Sequence, residues 1–178
     1  MTVIFRSPRR RIASELYTAA VGAARTPGFY SAFAVPDTIE GRYEMIVLHV
    51  VLLLRQLRRP GEPHKRLAQA LVDYMAADLD RSIRELGVGD LSVGKFMKRL
   101  GEGLYGRAAA YDKALDDADR AALQEAILRN IYDGEGPDGE ILAAFVRHVE
   151  AQNAALSAQP AAAIAAGRVE FLPFGTES

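Results

Sequence analysis

The sequence contains no cysteine and no tryptophan. Disulfides and thiolate metal sites are therefore excluded, and a reducing intracellular compartment is the compatible setting. Long apolar runs are missing as well. The most extended, MIVLHVVLLL at Met45–Leu54, is interrupted by His49 and falls well short of the ~20 residues that a membrane span needs. The start, MTVIFRSPRRR, carries positive charge with no apolar stretch behind it, so no secretory signal is expected. Catalytic patterns are equally scarce. His49, His64 and His148 have no partner at zinc-protease spacing, GxSxG does not occur, and Asp73, Asp78 and Asp80 lack the spacing of a calcium loop. Nothing in this inventory argues for an enzyme, a metal or another cofactor.

What remains is an ordinary globular balance. The chain has 178 residues, 49% hydrophobic and 25% charged, enough for one domain with a real core. A net charge of −1 conceals an uneven spread. Residues 1–60 hold 9 Lys/Arg against 4 Asp/Glu, and residues 61–178 hold 13 against 19. Such a dipole can orient a protein at an anionic surface, lipid or ribosomal RNA. The competing explanation is a chance distribution with a solvated tail.

A period of 3.6 dominates and two-residue alternation is nearly absent, which predicts an all-α protein, a single compact bundle of about six helices. The first helix is expected over Ser14–Arg25, with Ser14 as N-cap and Pro27-Gly28 as its stop. A linker, FYSAFAVPD, leads to a second helix from Asp37/Thr38 to Arg59. A third runs Lys65–Leu86, a fourth from Ser92 to Leu115, a fifth from the Asp116–Asp119 caps to Tyr132, and a sixth over Gly139–Ser157. Residues 1–13 read as a flexible basic segment, 14–158 as the helical domain and 159–178 as a weakly specified tail.

The string GVGDLSVGKF, Gly87–Phe96, imitates a phosphate-binding loop from Gly89 to Lys95, but Phe96 stands where Ser or Thr should. A true loop follows a strand, so that bare backbone N–H groups meet the phosphates at a helix start. Here a helical stretch precedes it, with Asp80/Arg84 and Arg81/Glu85 at pairing distance. Gly87 and Gly89 therefore read as turn glycines, and Ser92 as the cap of the next helix.

That fourth helix carries an apolar stripe of Val93, Phe96, Met97, Leu100, Leu104, Ala108, Tyr111 and Leu115. Arg107 projects onto the same stripe. A guanidinium there needs a partner, either an acid of the third helix such as Asp73 or Asp78, or a ligand in a groove of which Arg107 forms the floor. Tyr105 does the reverse and sits on the polar side with Lys98, Glu102 and Asp112, which suits contact with a partner. Gly103, Gly106 and Ala110 form a small-residue strip where another backbone has room to approach. The second helix is apolar on two sides, with Ile39, Tyr43, Ile46, Val50, Leu53 and Leu57 on one and Met45, Leu48, Val51 and Leu52 on the other. It is either central in the bundle or keeps one face for a partner. On it, His49 reads as a core histidine rather than a haem ligand.

Two blocks carry a family resemblance. In Ala24–His49 the pattern PDT-x-x-GR-[FY]-E-x-x-x-LH is met by Pro36, Asp37, Thr38, Gly41, Arg42, Tyr43, Glu44, Leu48 and His49. In Asp73–Leu115 the pattern LRE-x-GVGD-x-x-V-x-K, then YGR-x-x-AY, is met from Arg84 to Tyr111, with Ile83 in place of the usual Leu. Together they resemble the ubiquinol–cytochrome c chaperone family over about Leu16–Tyr132.

The resemblance implies a non-enzymatic assembly factor for the ubiquinol–cytochrome c reductase complex. Mitochondrial members bind newly made cytochrome b, work with a small partner protein and associate with the ribosome near the tunnel exit. A short basic start in place of an Arg/Ser-rich transit peptide points to a bacterial chain. The expected location is then the cytoplasm, with peripheral contact on the cytoplasmic face of the inner membrane and no DNA partner. An apolar groove between the second and fourth helices is the expected client site, with Arg42, Glu44, Leu48, Leu52, Tyr105 and Arg107 as candidate residues. Arg6, Arg9, Arg10 and Arg11 are candidates for anionic lipid or RNA. The alternative function is an RNA- or ribosome-binding helical module acting through the basic N-terminal third.

Overall fold

A computed structural model describes residues 7–59, 62–85 and 90–175, and every described element is helical. The order is α1 (Pro8–Ala24), α2 (Pro27–Ser31), α3 (Ile39–Arg58), α4 (Glu62–Glu85), α5 (Asp90–Asp116), α6 (Arg120–Ile131), α7 (Gly139–Ala158) and α8 (Ala161–Ala165). Leaving out the five-residue α2 and α8, six long helices remain among the described residues, as the periodicity predicts.

Several boundaries differ from the sequence reading. Helix α1 begins at Pro8, not Ser14. Ser7 accepts a hydrogen bond from the Arg10 N–H, and Pro8 opens the helix where a missing N–H costs nothing. Arg9–Arg11 therefore lie on a helix. Inside the expected linker, FYSAFAVPD, Pro27 nucleates α2. Its Phe29 is buried, and Tyr30 donates to the Ala24 carbonyl. Helix α5 starts at Asp90, so Ser92 lies within it and does not cap it. Gly94 is helical and exposed, which rules out a phosphate-cradling loop there; Gly87 and Gly89 lie outside the described residues. The caps at Thr38 and Asp119 match expectation, accepting from the N–H groups of Gly41 and Ala122.

Helix α3 is the axis of the bundle. It packs against α1, α4, α5, α6, α7 and α8, and from Tyr43 to Leu54 every residue is buried. The two apolar sides of this helix thus mean centrality. Burying a leucine or valine side chain contributes roughly 1.5–3 kcal/mol, and this helix alone commits Leu48, Val50, Val51, Leu52 and Leu53 at 1% exposure or less.

At one end an aromatic cluster closes the core. Phe29, Phe33, Phe145 and Phe174 meet there with His49 and His148, and the Tyr132 hydroxyl donates to the Phe33 carbonyl at 2.6 Å. The C-terminal segment contributes to this cluster. Gln152 donates to the Leu172 carbonyl and accepts from its N–H, while Gln159 does the same for Glu170. These two glutamines, one on α7 and one at its C-terminal end, hold an extended strap whose Phe171 and Phe174 turn inward.

His49 sits in this cluster with its Nδ1 2.7 Å from the Met45 carbonyl, to which it donates. Burial pushes its pKa down from 6.5 to about 4; the Met45 carbonyl opposes the shift and nearby His148 adds to it. The fold therefore favours neutral His49. Its contribution is complete above pH 6.5 and is lost as pH falls through 4, in total about 3 kcal/mol. The urea midpoint should fall measurably between pH 6.5 and 5, before most carboxylates titrate, and His49→Leu should flatten that slope. Equal slopes for the two proteins would refute the assignment.

Candidate functional site

The two sequence blocks converge in space. Glu44 on α3 and Arg107 on α5 form a two-pronged ion pair, Nε to Oε2 at 2.7 Å and Nη2 to Oε1 at 2.5 Å. Their side chains are 9% and 24% exposed. The partner of Arg107 is thus Glu44, not Asp73 or Asp78. Those two are engaged elsewhere, Asp73 accepting from Gln69 and Asp78 from the Tyr17 hydroxyl. Burial pushes the Glu44 carboxyl above its ordinary range, and the guanidinium pulls it only partly back. The hydroxyls of Tyr43 and Tyr111 are raised by burial too.

This pair lines a cleft of about 420 Å³ between the start of α3 and the end of α6, shared with Thr38, Arg129 and Asn130. Two glycines shape it. A Cβ on Gly41 would run into the Pro36 carbonyl, and one on Gly103 would collide with the guanidinium of Arg107. Gly103 therefore leaves room for the ion pair. It is not a landing place for another backbone, and Gly106 faces open space.

Tyr105 lies two residues, roughly 200° of helix, from Arg107 and opens onto a different cleft. It is 62% exposed. Beside it Leu54, Leu104 and Ala108 form a buried floor, Ala68 and Val72 of α4 form the wall, and Arg58, Lys65 and Gln69 form the rim, enclosing about 340 Å³. The groove expected between the second and fourth helices is therefore two clefts, one on each side of α5.

Leu48 and Leu52 belong to neither. Both are 1% exposed, because α3 is surrounded and its second apolar face is core. Arg42 stays at the surface, pairing with Asp37 at 2.6 Å and lying 6.0 Å over the Tyr30 ring. Arg9, Arg10 and Arg11 are exposed on α1, and Arg11 pairs with Glu15; Arg6 lies outside the described residues. The sequence reading missed Ala68 and Val72. Their i,i+4 spacing on α4 was available, but small apolar residues on a mostly polar helix give little signal.

The family model described as ubiquinol-cytochrome C chaperone matches residues 31–171, reaching well beyond Tyr132, where the recognisable motifs stop. Among curated relatives, the ubiquinol-cytochrome-c reductase complex assembly factor 1 of Xenopus laevis is 24% identical over 79% of this chain and 70% of its own length. Its counterparts in Mus musculus and Homo sapiens are also 24% identical, and this chain spans 47% and 46% of them, about half their length. The crystal structure of the Cbp3 homolog from Brucella abortus superposes with a TM-score of 0.85 at 36% identity, covering 96% of this chain and 94% of that one.

Proposed function

The chain belongs to the ubiquinol–cytochrome c chaperone family, and on that premise we propose that it assists assembly of the ubiquinol–cytochrome c reductase complex by holding newly made cytochrome b. It acts by binding and not by catalysis. A polytopic client exposes apolar helices before its haems and partner subunits are in place, and a helical bundle can shelter one of them in a groove. The observation that carries this reading is the cleft at Tyr105. An exposed aromatic stands over an apolar floor of Leu54, Leu104 and Ala108, beside an open wall of Ala68 and Val72. Exposed aromatics above well-packed apolar pockets are where binding energy concentrates.

The Glu44–Arg107 pair lies on the other side of α5, in a separate cleft. Arg42, exposed at the start of α3, is the residue there that a partner can reach, whereas Glu44 is buried and held by Arg107. Among the described residues no helix is long and apolar enough to cross a membrane, so contact with the membrane is peripheral in this reading. A ribosomal contact and a small partner protein belong to the same proposal.

The test is affinity purification of the tagged protein from its native host after mild crosslinking, scored for cytochrome b. Tyr105→Ala is the variant to compare, because an exposed side chain can be removed with little effect on folding. Loss of a central interface aromatic costs about 2 kcal/mol or more, so cytochrome b recovery should fall at least about tenfold. Full recovery with Tyr105→Ala would discard this cleft. Ribosomal components in place of cytochrome b, released steeply by salt, would replace the chaperone reading with the RNA-binding one.

A further inference from the structure

A third cleft, of about 460 Å³, lies between the first turn of α1 and the middle of α4. From α1 it is lined by Ser7, Arg9 and Arg10; from α4, Arg66, Asp73 and Tyr74 face it with Gln69 and Ala70. The α4 residues 66, 69, 70, 73 and 74 follow the helical repeat, so one face of that helix supplies the whole wall. Three arginines from two helices therefore line one concavity. No ion pair to a described residue engages Arg9, Arg10 or Arg66, whereas the neighbouring Arg11 is paired with Glu15. The one carboxylate in the lining, Asp73, accepts from Gln69 at 2.8 Å. The lining thus carries three arginines against one carboxylate around a space of molecular size.

Arginine side chains in this arrangement select a phosphate oxygen cluster, since each planar fork can donate two parallel bonds. We infer that the α1–α4 cleft is a binding site for the phosphate headgroup of an anionic phospholipid. A compact concavity suits one headgroup. A nucleic-acid backbone would call for a stripe of cations spaced along successive phosphates. This deepens the membrane-peripheral part of the proposed function. It converts a diffuse basic N-terminus into a defined site that Arg66, more than 50 residues away in sequence, completes.

The experiment is vesicle co-sedimentation of the full chain at fixed low ionic strength, with no client present. A failed headgroup site and a failed chaperone reading are therefore told apart. Vesicles are phosphatidylcholine alone or phosphatidylcholine mixed with phosphatidylglycerol. The variants are Arg66→Gln, Arg10→Gln and, as a charge-matched control, the exposed Arg147→Gln on α7. The wild type should bind only the phosphatidylglycerol vesicles. Arg66→Gln and Arg10→Gln should each weaken that binding about fivefold or more, the effect of one cation at the surface, while Arg147→Gln leaves it unchanged. Equal weakening by all three would overturn the site, leaving only long-range attraction. Binding of inorganic phosphate that depends on Arg66 without binding to vesicles would overturn the lipid source. So would Arg66-dependent binding of a single-stranded RNA oligomer in the absence of vesicle binding.

Discussion

Deleting residues 168–178 is expected to lower the stability of the fold by about 5 kcal/mol or more. Phe171 meets His49 edge-on at 5.3 Å between ring centres, and Phe174 lies 5.3 Å from Phe29 and 5.0 Å from Phe33, centre to centre. A Cβ on Gly28 would collide with the Phe174 ring, so that ring lies directly on the α2 backbone. Full removal of a buried phenylalanine costs about 3–5 kcal/mol. Both rings here are only half-buried, so together they contribute roughly one such loss. Gln152 adds a polar term. It is 2% exposed, and without Leu172 both ends of its amide lose their partners, a cost of about 1–3 kcal/mol. Urea unfolding of the full and shortened chains measures the sum, and amide exchange should loosen first along α7 and α2. An unchanged midpoint would show that the strap merely rests on the surface. Phe174→Ala alone should give about a third of the effect.

That strap marks the limit of what the sequence makes legible. Helices α3, α6 and α7 are readable because an apolar stripe runs between recognisable ends, Thr38 and Asp119 as caps and the PDG turn ahead of Gly139. The strap has no period at all. Its order comes from two glutamines about two turns apart and from aromatic pockets that exist only after the bundle closes. The start of α1 is hidden for a related reason. Ser7-Pro8 is a good opening, but three consecutive arginines resemble a solvated arm until α4 supplies the surface beneath them. The site follows the same division. Tyr105 stands out as an aromatic on a polar face and is indeed exposed. Arg107 stands out as a cation on an apolar stripe, but which acid meets it depends on how α3 and α5 cross. Leu48 and Leu52 mislead because an apolar helix face looks the same whether it meets core or client.

Arg107→Ala should destabilise the protein by up to about 4 kcal/mol at pH 7, and by much less at pH 5. The substitution leaves Glu44 in place, 9% exposed at its side chain and deprived of both hydrogen bonds from the guanidinium. Breaking a buried pair from one side costs about 3–5 kcal/mol, because the remaining charge stays desolvated. Glu44 has one escape, which is to bind a proton. Burial already pushes its carboxyl above the ordinary range with Arg107 present, and removing the cation pushes it further. At pH 7 the proton must be taken up against an unfolded value near 4.3, which costs about 4 kcal/mol and so caps the penalty. At pH 5 the same uptake costs only about 1 kcal/mol. A carboxyl whose folded value exceeds its unfolded one gains relative stability as pH falls, so wild-type and variant midpoints should converge on acidification. Glu44→Gln should cost less than Arg107→Ala, because Arg107 is 24% exposed and its long side chain can turn to solvent. Glu44→Leu with Arg107→Met should recover most of the loss, an apolar pair of similar volume avoiding both desolvation penalties. A deficit in Arg107→Ala that is the same at pH 7 and pH 5 would contradict the account. Because Arg107→Ala is expected to weaken the fold as well, Tyr105→Ala, at an exposed side chain, is the cleaner test of binding.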